Sequence, residues 1–308
     1  MPMNEAQAII NRAMSSREAY SEMARREAEV WSQHLVDPRR VAIQKADQAA
    51  AAELGLNDKN FAFLPWCKAN KRTFQRGLSI GCGAGRAERQ YIESGVCQSF
   101  HGVDIADDAV AEAGKQAAEL GMDCTYEVAD INFADFGEAK YDLVVAQTSL
   151  HHLVFLEDVF AAIHRAMVPG GILWLHDYVG ESQFQHSDLR LSIANRLLEE
   201  IPKSLRLNQM NGQVVGSIVR RKPGTLVSPF ESIRSGEILP VARSMFKTVA
   251  GTTSSSLLHL VVPVGTRANY LVSPEARALF RSIKLTDEVL IETGVLQGAD
   301  ARFVFEKA

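Results

Sequence analysis

The sequence predicts an α/β fold built on a doubly wound, mostly parallel sheet of seven strands. From residue 76 onwards, short apolar runs alternate with segments of helical spacing, the pattern of a parallel sheet covered on both faces. The apolar run 141–146 suits a central strand of such a sheet. Three closely spaced glycines follow the first apolar run, where a strand turns sharply into a helix.

Each element follows from an apolar run or a helical period that ends at a breaker. Strands are predicted at 77–80, 99–103, 124–128, 141–146, 172–175, 246–250 and 301–306. Helices are predicted at 86–95, 107–120, 156–167, 188–200, 232–245 and about 274–296, with another starting near residue 257. Gly121 is a helix C-terminal glycine, and Pro169 stops the helix before it.

Four regions are predicted along the chain. Residues 1–75 are helix-rich and form an N-terminal cap or lid, and residues 76–180 form the ligand-binding core. The alternation lapses at 181–231, which is expected to be an inserted cap over an acceptor, and residues 232–308 complete the sheet. A polar break is expected at 57–60, before an aromatic run at 61–66 that suits either a lid or core packing.

The N-terminal region presents one amphipathic helical face whose partner the sequence leaves open. This face has i, i+3, i+4, i+7 spacing and consists of Tyr20, Met23, Glu27, Val30, Trp31 and His34. It either closes over the ligand or joins two subunits of a homodimer.

Composition excludes several classes of protein. A net charge of −4 argues against binding nucleic acid through phosphate neutralisation. The four cysteines form no C-x-x-C pair, so they indicate neither a zinc knuckle nor a disulfide framework. No run of 18 apolar residues is present, which predicts no membrane association, and the expected location is cytoplasmic.

The glycine-rich turn is the strongest local signal. It reads Gly77-Leu-Ser-Ile-Gly-Cys-Gly-Ala-Gly-Arg86, so backbone amides can approach a ligand at the start of a helix. Asp104 ends the next apolar stretch about twenty residues on, where a carboxylate can accept hydrogen bonds from both hydroxyls of a ribose.

Residues 76–178 taken in order resemble the class I S-adenosylmethionine-dependent methyltransferases, a family of enzymes. The resemblance rests on the glycine turn, Asp104, Ala129-Asp-Ile131, the run 141–147, Ser149-Leu-His-His-Leu153 and Met167-Val-Pro-Gly-Gly-Ile-Leu173. The Pro-Gly-Gly turn and the G-x-G-x-G spacing separate it from a Rossmann dehydrogenase. The C-terminal third resembles methyltransferases of bacterial glycan and natural-product clusters. The resemblance implies S-adenosylmethionine as cofactor, and we expect the last strand to be antiparallel.

The resemblance also assigns cofactor contacts by position. Gly81, Cys82, Gly83 and Gly85 would hold the amino-acid part of the cofactor, with Gln147 beside the ammonium. Asp104 would bind the ribose and Ile105 the adenine, while Asp130 would accept from the adenine amino group next to Ile131. One position departs from the family, because Ser79 stands where an acidic residue is common. A hydroxyl cannot neutralise an ammonium, so another group must do so.

Candidate catalytic residues follow strands four and five, where the acceptor should lie. They are His176, Asp177 and His151, and a histidine near its ordinary pKa suits removal of a proton from a hydroxyl. The alternative is that His151 only caps or packs. No metal-ligand motif is present, so no metal is expected. Arg220, Arg221, Lys222 and Arg234 suit either an acceptor phosphate or a solvated loop.

The favoured function is therefore a methyltransferase for a small-molecule acceptor, with O-methylation of a sugar, glycan or secondary metabolite preferred. The alternatives are C- or N-methylation of a natural-product or prenyl scaffold, a nucleotide-dependent oxidoreductase, and a cofactor-binding subunit without activity. A nucleic-acid methyltransferase is disfavoured because Ala146-Gln-Thr-Ser149 stands where an Asn/Asp-Pro-Pro-Tyr/Phe motif would be.

Overall fold

A computed structural model describes residues 5–56, 61–222 and 226–308 of the chain, and side chains from residue 8 onwards. The polar break predicted at 57–60 lies outside the described residues. No helix of the described residues is long and apolar enough to cross a membrane. A cytoplasmic location and a homodimer stay predictions.

The seven strands form one sheet in the order β3-β2-β1-β4-β5-β7-β6. They are β1 Phe74–Ile80, β2 Cys97–Asp104, β3 Cys124–Val128, β4 Tyr141–Gln147, β5 Met167–Tyr178, β6 Lys247–Ser254 and β7 Asp300–Glu306. Strands β1 to β5 are parallel, and β7 runs antiparallel to both β5 and β6. The predicted fold class, with its antiparallel last strand, is confirmed.

Eleven α-helices surround the sheet in the described residues. They are α1 Glu5–Ser15, α2 Arg17–Val36, α3 Pro38–Glu53, α4 Phe63–Ala69, α5 Arg86–Glu93, α6 Asp107–Glu119, α7 Leu156–Ala166, α8 Asp188–Glu200, α9 Ile238–Met245, α10 Leu258–Val261 and α11 Pro274–Glu292. Local sequence explains several starts: Ser16, Ser187 and Ser273 each cap a helix with the side-chain oxygen.

Two departures from the predicted bounds have a clear local cause. The helix expected at 232–245 begins only at Ile238, because Ser232 takes a left-handed φ of 52° and a 3-10 turn over Ser235–Glu237 intervenes. The Pro-Gly-Gly segment lies inside β5 rather than before it. There Met167 pairs with Tyr141 ahead of a register shift, and Gly170 adopts φ 71°.

Apolar packing divides the molecule into layers. One face of the sheet is covered by α7 and α9 around Phe160 and Ile163, and the other by α4 and α5 around Phe63 and Tyr91. A separate cluster joins α8, α10 and α11 in the C-terminal half around Phe280. The carboxyl ends of β1, β2, β4 and β5 are thus left as the edge on which the remaining segments lie.

The helices α1 and α2 pack across this edge. Their buried residues Ile10, Ala13 and Tyr20 form one cluster with Phe230 and Ile233, which come from the segment after α8. The predicted amphipathic face therefore covers the same chain, on the side of the sheet where the glycine turn ends.

Candidate active site

The turn after β1 requires glycine at two of its three glycine positions for space as well as for backbone angle. Gly81 and Gly85 have φ of 70° and 71°, in the left-handed region. A Cβ on Gly81 would lie 2.3 Å from the Ser149 Cβ, and one on Gly85 would lie 2.5 Å from the Tyr126 hydroxyl oxygen. The turn therefore brings bare backbone to the carboxyl end of β1.

Asp104 ends β2 and binds this turn directly. Its Oδ2 accepts from the Gly83 amide over 2.8 Å, and its Oδ1 accepts from the Ala106 amide over 2.9 Å. Burial raises the pKa of Asp104, and the amide hydrogen bonds oppose that effect. Each oxygen keeps a second lone pair, so the carboxylate can fix the turn and still accept from a ribose hydroxyl.

Asp130 follows the end of β3 and is held by a side chain of the N-terminal region. Its Oδ2 accepts from the Tyr20 hydroxyl of α2 over 2.7 Å, and its Oδ1 accepts from the Asn132 amide over 3.0 Å. Ile105 packs against the same N-terminal cluster, whereas Ile131 is buried in the main core. Ile105 and Asp130, two of the positions assigned to adenine, thus lie under α2.

Further contacts of α2 run along the whole edge. Ser32 donates to Asp107 Oδ1 over 2.8 Å, and Leu35 lies 3.4 Å from where a Cβ on Gly83 would be. The buried Glu27 has its Oε1 2.8 Å from His152 Nδ1. In this arrangement α2 lies against several of the predicted cofactor contacts, while its role as a lid stays a prediction.

The other predicted contacts with the amino-acid part lie at the ends of β1 and β4. The Cys82 thiol is buried, which raises its pKa, and it points back to the Gly83 carbonyl oxygen at 3.6 Å. Gln147 ends β4, and its Oε1 accepts from the Tyr91 hydroxyl of α5 over 3.2 Å. Ser79 is buried on the face of the sheet that α5 covers.

The structure brings His151 and Asp177 together at the carboxyl ends of β4 and β5. His151 Nδ1 lies 2.5 Å from Asp177 Oδ1, while Asp177 Oδ2 accepts from the Ser149 and Leu150 amides. Asp177 is fully buried. Burial opposes protonation of His151, but the Asp177 carboxylate outweighs it and raises the pKa of His151 above its usual value. The pair therefore fixes the turn after β4.

One group of side chains in the described residues has the spacing of metal ligands. His151, His152 and Glu231 each offer a ligand atom within 4.8 Å of the other two. Both histidines have Nδ1 beside a carboxylate, Asp177 or Glu27, so only their Nε2 atoms are left for a metal. The expectation of no metal stays a prediction.

His176 lies on the opposite face of β5 and lines a cavity of about 690 Å³. Its Nε2 is 3.2 Å from Asp300 Oδ2, and Asp300 Oδ1 accepts from Arg302 Nε over 3.1 Å. Burial raises the pKa of Asp300, but the hydrogen bond and the charge of His176 outweigh it, and the net pKa is lowered. The antiparallel register, in which His176 faces Arg302 and Tyr178 faces Asp300, creates this arrangement.

The cavity lies at the carboxyl ends of β4 and β5, and both polar and apolar side chains line it. The polar ones include Thr148, Thr252, Thr253, Ser254, Ser255, His259, Arg267, Lys284, Asp287 and Glu288, and the apolar ones are Ala51 and Leu56 from the N-terminal region together with Leu258, Val262 and Ile291. Hydroxyl groups and charges of both signs thus face one space. Such a lining suits a ligand with several hydrogen-bonding groups.

Of the four basic residues that suited a phosphate, none lines this cavity among the described residues. The Arg234 guanidinium is buried between Glu157 and Glu237, with closest distances of 2.7 and 2.6 Å. Arg220 pairs with Asp188, and the Arg221 guanidinium lies over the Phe184 ring. The structure therefore gives three of them partners away from the cavity.

Comparison with known proteins decides the nature of this site. The family described as methyltransferase domain matches residues 78–171, which run from β1 into β5 and include the glycine turn, Asp104 and Asp130. Residues 78–171 form a class I S-adenosylmethionine-dependent methyltransferase domain. The matched residues thus include the carboxyl ends of β1 and β2, which α2 covers and which we call the cofactor edge.

The individual proteins that match this chain do so at low sequence identity and over part of its length. The human mitochondrial arginine-hydroxylase NDUFAF5 is 33% identical over 101 residues, 33% of this chain and 28% of that protein. A ubiquinone biosynthesis O-methyltransferase from Burkholderia cenocepacia is 30% identical over 118 residues, 38% of this chain and 50% of that protein. The chain spans about half or less of the curated relatives it matches.

A solved structure of a putative sarcosine dimethylglycine methyltransferase from Galdieria sulphuraria is 18% identical, with a TM-score of 0.46. Its match covers 86% of each chain.

S-adenosylmethionine is the cofactor of the methyltransferase domain, and the residues present fit it. The glycine turn presents backbone without side chains at the carboxyl end of β1, and two acidic residues stand at or just after the ends of β2 and β3.

Sequence reasoning missed three residues of the site, namely Tyr20 as a partner of Asp130, and Asp300 with Arg302 as partners of His176. The only sequence signal for Asp300 and Arg302 is polar alternation at the start of β7, whereas Tyr20 could be predicted only as a member of the amphipathic face.

Proposed function

We propose that the protein transfers a methyl group from S-adenosylmethionine to a hydroxyl of a small, polar acceptor bound in the 690 Å³ cavity. The observation that carries this proposal is the pairing of His176 with Asp300 on the cavity wall. A sugar, glycan or hydroxylated secondary metabolite is the acceptor class that we propose, and natural-product or glycan biosynthesis is the proposed setting.

The bound cofactor supplies an electrophilic methyl group that is displaced in line. The chain aligns the acceptor and takes up the proton that the hydroxyl loses. With Nε2 directed to Asp300, His176 offers Nδ1 as the proton acceptor. Asp300 holds the ring and stabilises the charge that forms on it, and Arg302 keeps Asp300 ionised.

Asp177 and His151 act as positioning residues in this scheme. Asp177 is fully buried, and hydrogen bonds from His151 and from backbone amides engage both of its oxygens. A carboxylate so occupied is poorly placed to remove a proton from a ligand. Both residues instead set the turn after β4, next to Thr148 on the cavity wall.

The hydroxyl and charged side chains of the cavity wall favour hydroxyl methylation over the alternatives. A prenyl or other unsaturated chain would place apolar surface against Arg267, Lys284 and Asp287 and remove the water that solvates them, which is costly. A sugar or polyol would instead hydrogen-bond to such groups. The cations of the wall already have acidic partners, since Arg267 pairs with Asp47 over 2.8 Å, Lys284 with Glu288 over 3.3 Å and Arg302 with Asp300 over 3.1 Å, so a phosphate on the acceptor would have to share them.

The test is methyl transfer from isotopically labelled S-adenosylmethionine to a panel of sugars, hydroxylated aromatics and prenyl compounds. We expect labelled product with hydroxylated acceptors and none with prenyl compounds. Activity that survives a metal chelator supports proton removal by the chain alone, and its loss would assign the His151, His152 and Glu231 group a metal-binding role. Labelled prenyl product alone would overturn the proposed acceptor class.

A further inference from the structure

The cofactor site lacks an acid at the place where its fold would put one. Ser79 lies on β1, two residues before Gly81, and its side chain is buried. The amino-acid part of S-adenosylmethionine carries an ammonium as well as a carboxylate. A hydroxyl can donate to or accept from an ammonium but adds no charge against it.

A buried carboxylate stands beside Ser79. Glu88 is the third residue of α5 and is fully buried. Neither of its carboxylate oxygens has a hydrogen-bond partner among the described residues. An unpaired carboxylate is among the most costly groups to bury, so a native protein that retains one calls for a ligand or another function.

The surroundings of Glu88 belong to the cofactor edge. The Ser79 hydroxyl neighbours its carboxylate, and Asp104 and Cys82 are close enough to interact with its charge. Arg89, the adjacent cation, directs its guanidinium to the Ala84 carbonyl oxygen over 2.8 Å and forms no ion pair with Glu88 in the described residues. Among the described residues no cation forms an ion pair with this carboxylate, and the nearby charge of Arg89 only partly opposes the rise in its pKa.

We propose that Glu88 supplies, from α5, the negative charge that Ser79 does not supply from β1, and that it is the counter-ion of the cofactor ammonium. The inference rests on the proposed function, since it requires S-adenosylmethionine at this site. The acid stands on the helix that packs on the sheet instead of on β1, and the Ser79 hydroxyl lies beside it. Gln147 and Tyr91, joined on the same face, provide uncharged neighbours.

The charge state of Glu88 allows the inference to be tested by ligand binding, without a measurement of methyl transfer. Burial raises its pKa to about 7, Asp104 raises it further, and Ser79 and Arg89 oppose that effect. The tyrosines Tyr91 and Tyr126 and the thiols Cys82 and Cys124 face the same space and stay neutral at this pH, because their own pKa values are raised. An arriving ammonium would favour the carboxylate, so binding near pH 7 should release a proton.

The experiment compares two ligands by isothermal titration calorimetry. S-adenosylhomocysteine has the amino-acid group, whereas methylthioadenosine keeps the adenosine and the sulfur but lacks it. In Glu88→Gln we expect the affinity for S-adenosylhomocysteine to fall about 10- to 100-fold, the range of a charge-assisted hydrogen bond. Affinity for methylthioadenosine should change less than about twofold, which also shows that the variant is folded.

Two further variants separate charge from shape. The double variant that combines Ser79→Asp with Glu88→Gln places an acid on β1. It should restore most of the lost affinity. Glu93→Gln, at the exposed end of the same helix, is the matched control and should bind both ligands normally. Titration in buffers of different ionisation enthalpy should show proton release in the wild type and none in Glu88→Gln.

The outcomes are distinct. If the wild type fails to bind S-adenosylhomocysteine, the cofactor assignment itself is wrong. If the wild type binds and Glu88→Gln binds equally well, or loses affinity for both ligands to the same extent, Glu88 is not the counter-ion.

Discussion

The Tyr20 hydroxyl of α2 donates a hydrogen bond to Asp130 Oδ2 over 2.7 Å. The ring that carries this hydroxyl is buried against Phe133, Phe155 and Phe230. Asp130 is also the residue assigned to the adenine amino group. A donor of the chain therefore already bonds to the acceptor that the cofactor is expected to use, which makes that oxygen a weaker acceptor for the adenine amino group.

Replacement of Tyr20 by Phe should tighten cofactor binding. The change removes the competing donor and keeps the aromatic packing. A hydrogen bond of this kind contributes about 0.5–1.5 kcal/mol net, so the dissociation constant for S-adenosylhomocysteine should fall roughly 2- to 10-fold in calorimetry. Ser32→Ala, which removes the α2 contact with Asp107, serves as the control. Weaker binding in Tyr20→Phe would instead mean that the hydroxyl contacts the cofactor.

Replacement of His176 by Ala should abolish methyl transfer while cofactor affinity persists. Loss of a general base costs about 100- to 10,000-fold in rate, and His176 lies on the cavity wall away from the glycine turn. Asp300→Asn should reduce kcat to a smaller extent, because it weakens the orientation of the ring. His101→Ala on β2 is the control, since that histidine pairs with Glu127. Undiminished kcat in His176→Ala would remove this residue from the mechanism.

The pairing of His151 with Asp177 predicts a pH-dependent stability. The pKa of His151 is raised in the folded state, so its protonated form stabilises the protein fully below the unfolded pKa of about 6.5. This contribution is lost as the pH rises through the folded pKa. Asp177, Glu231 and Glu27 all face the ring and act in the same direction.

Urea denaturation of wild type and His151→Gln should therefore show a difference in unfolding free energy that is largest below about pH 6.5 and shrinks at higher pH. A difference that is constant or grows with pH would contradict the ion pair.

Glu88 should destabilise the protein in the absence of cofactor. Its pKa is raised from 4.5 to about 7 on folding, so the folded state resists ionisation and stability falls as the pH rises between these values. The corresponding penalty above pH 7 is about 3 kcal/mol. Glu88→Gln should unfold at higher urea concentration than wild type at pH 8 and at nearly the same concentration at pH 4. An unchanged midpoint at pH 8 would show that the carboxylate finds a compensating partner.

The parallel part of the fold could be predicted from sequence because its signals are local. The bounds of β3 at Cys124–Val128 and of α8 at Asp188–Glu200 match the predictions, since turn residues or caps flank each element. The glycine turn and Asp104 likewise lie within one strand–helix–strand unit. Their proximity follows from the parallel crossover alone.

The catalytic partners and Glu88 could not be predicted in the same way. His176 meets Asp300 only because β7 inserts between β5 and β6 in one particular antiparallel register, and no local pattern encodes that register. Glu88 shares a helix face with Tyr91 and Ile92 by spacing, yet a charged residue on that face conflicts with hydrophobic patterning. At Glu88, the proposed function requires a charged residue where hydrophobic patterning would place an apolar one.

The hydrogen bond between His176 and Asp300 joins residues 124 positions apart, whereas Asp104 meets Gly83 across 21. Contacts between distant residues have a higher entropic barrier to closure, so the cofactor cradle can assemble before the acceptor wall is complete. The chemistry of the site therefore depends on the pairing of β7 with β5, which the contact between Asp104 and the glycine turn does not require.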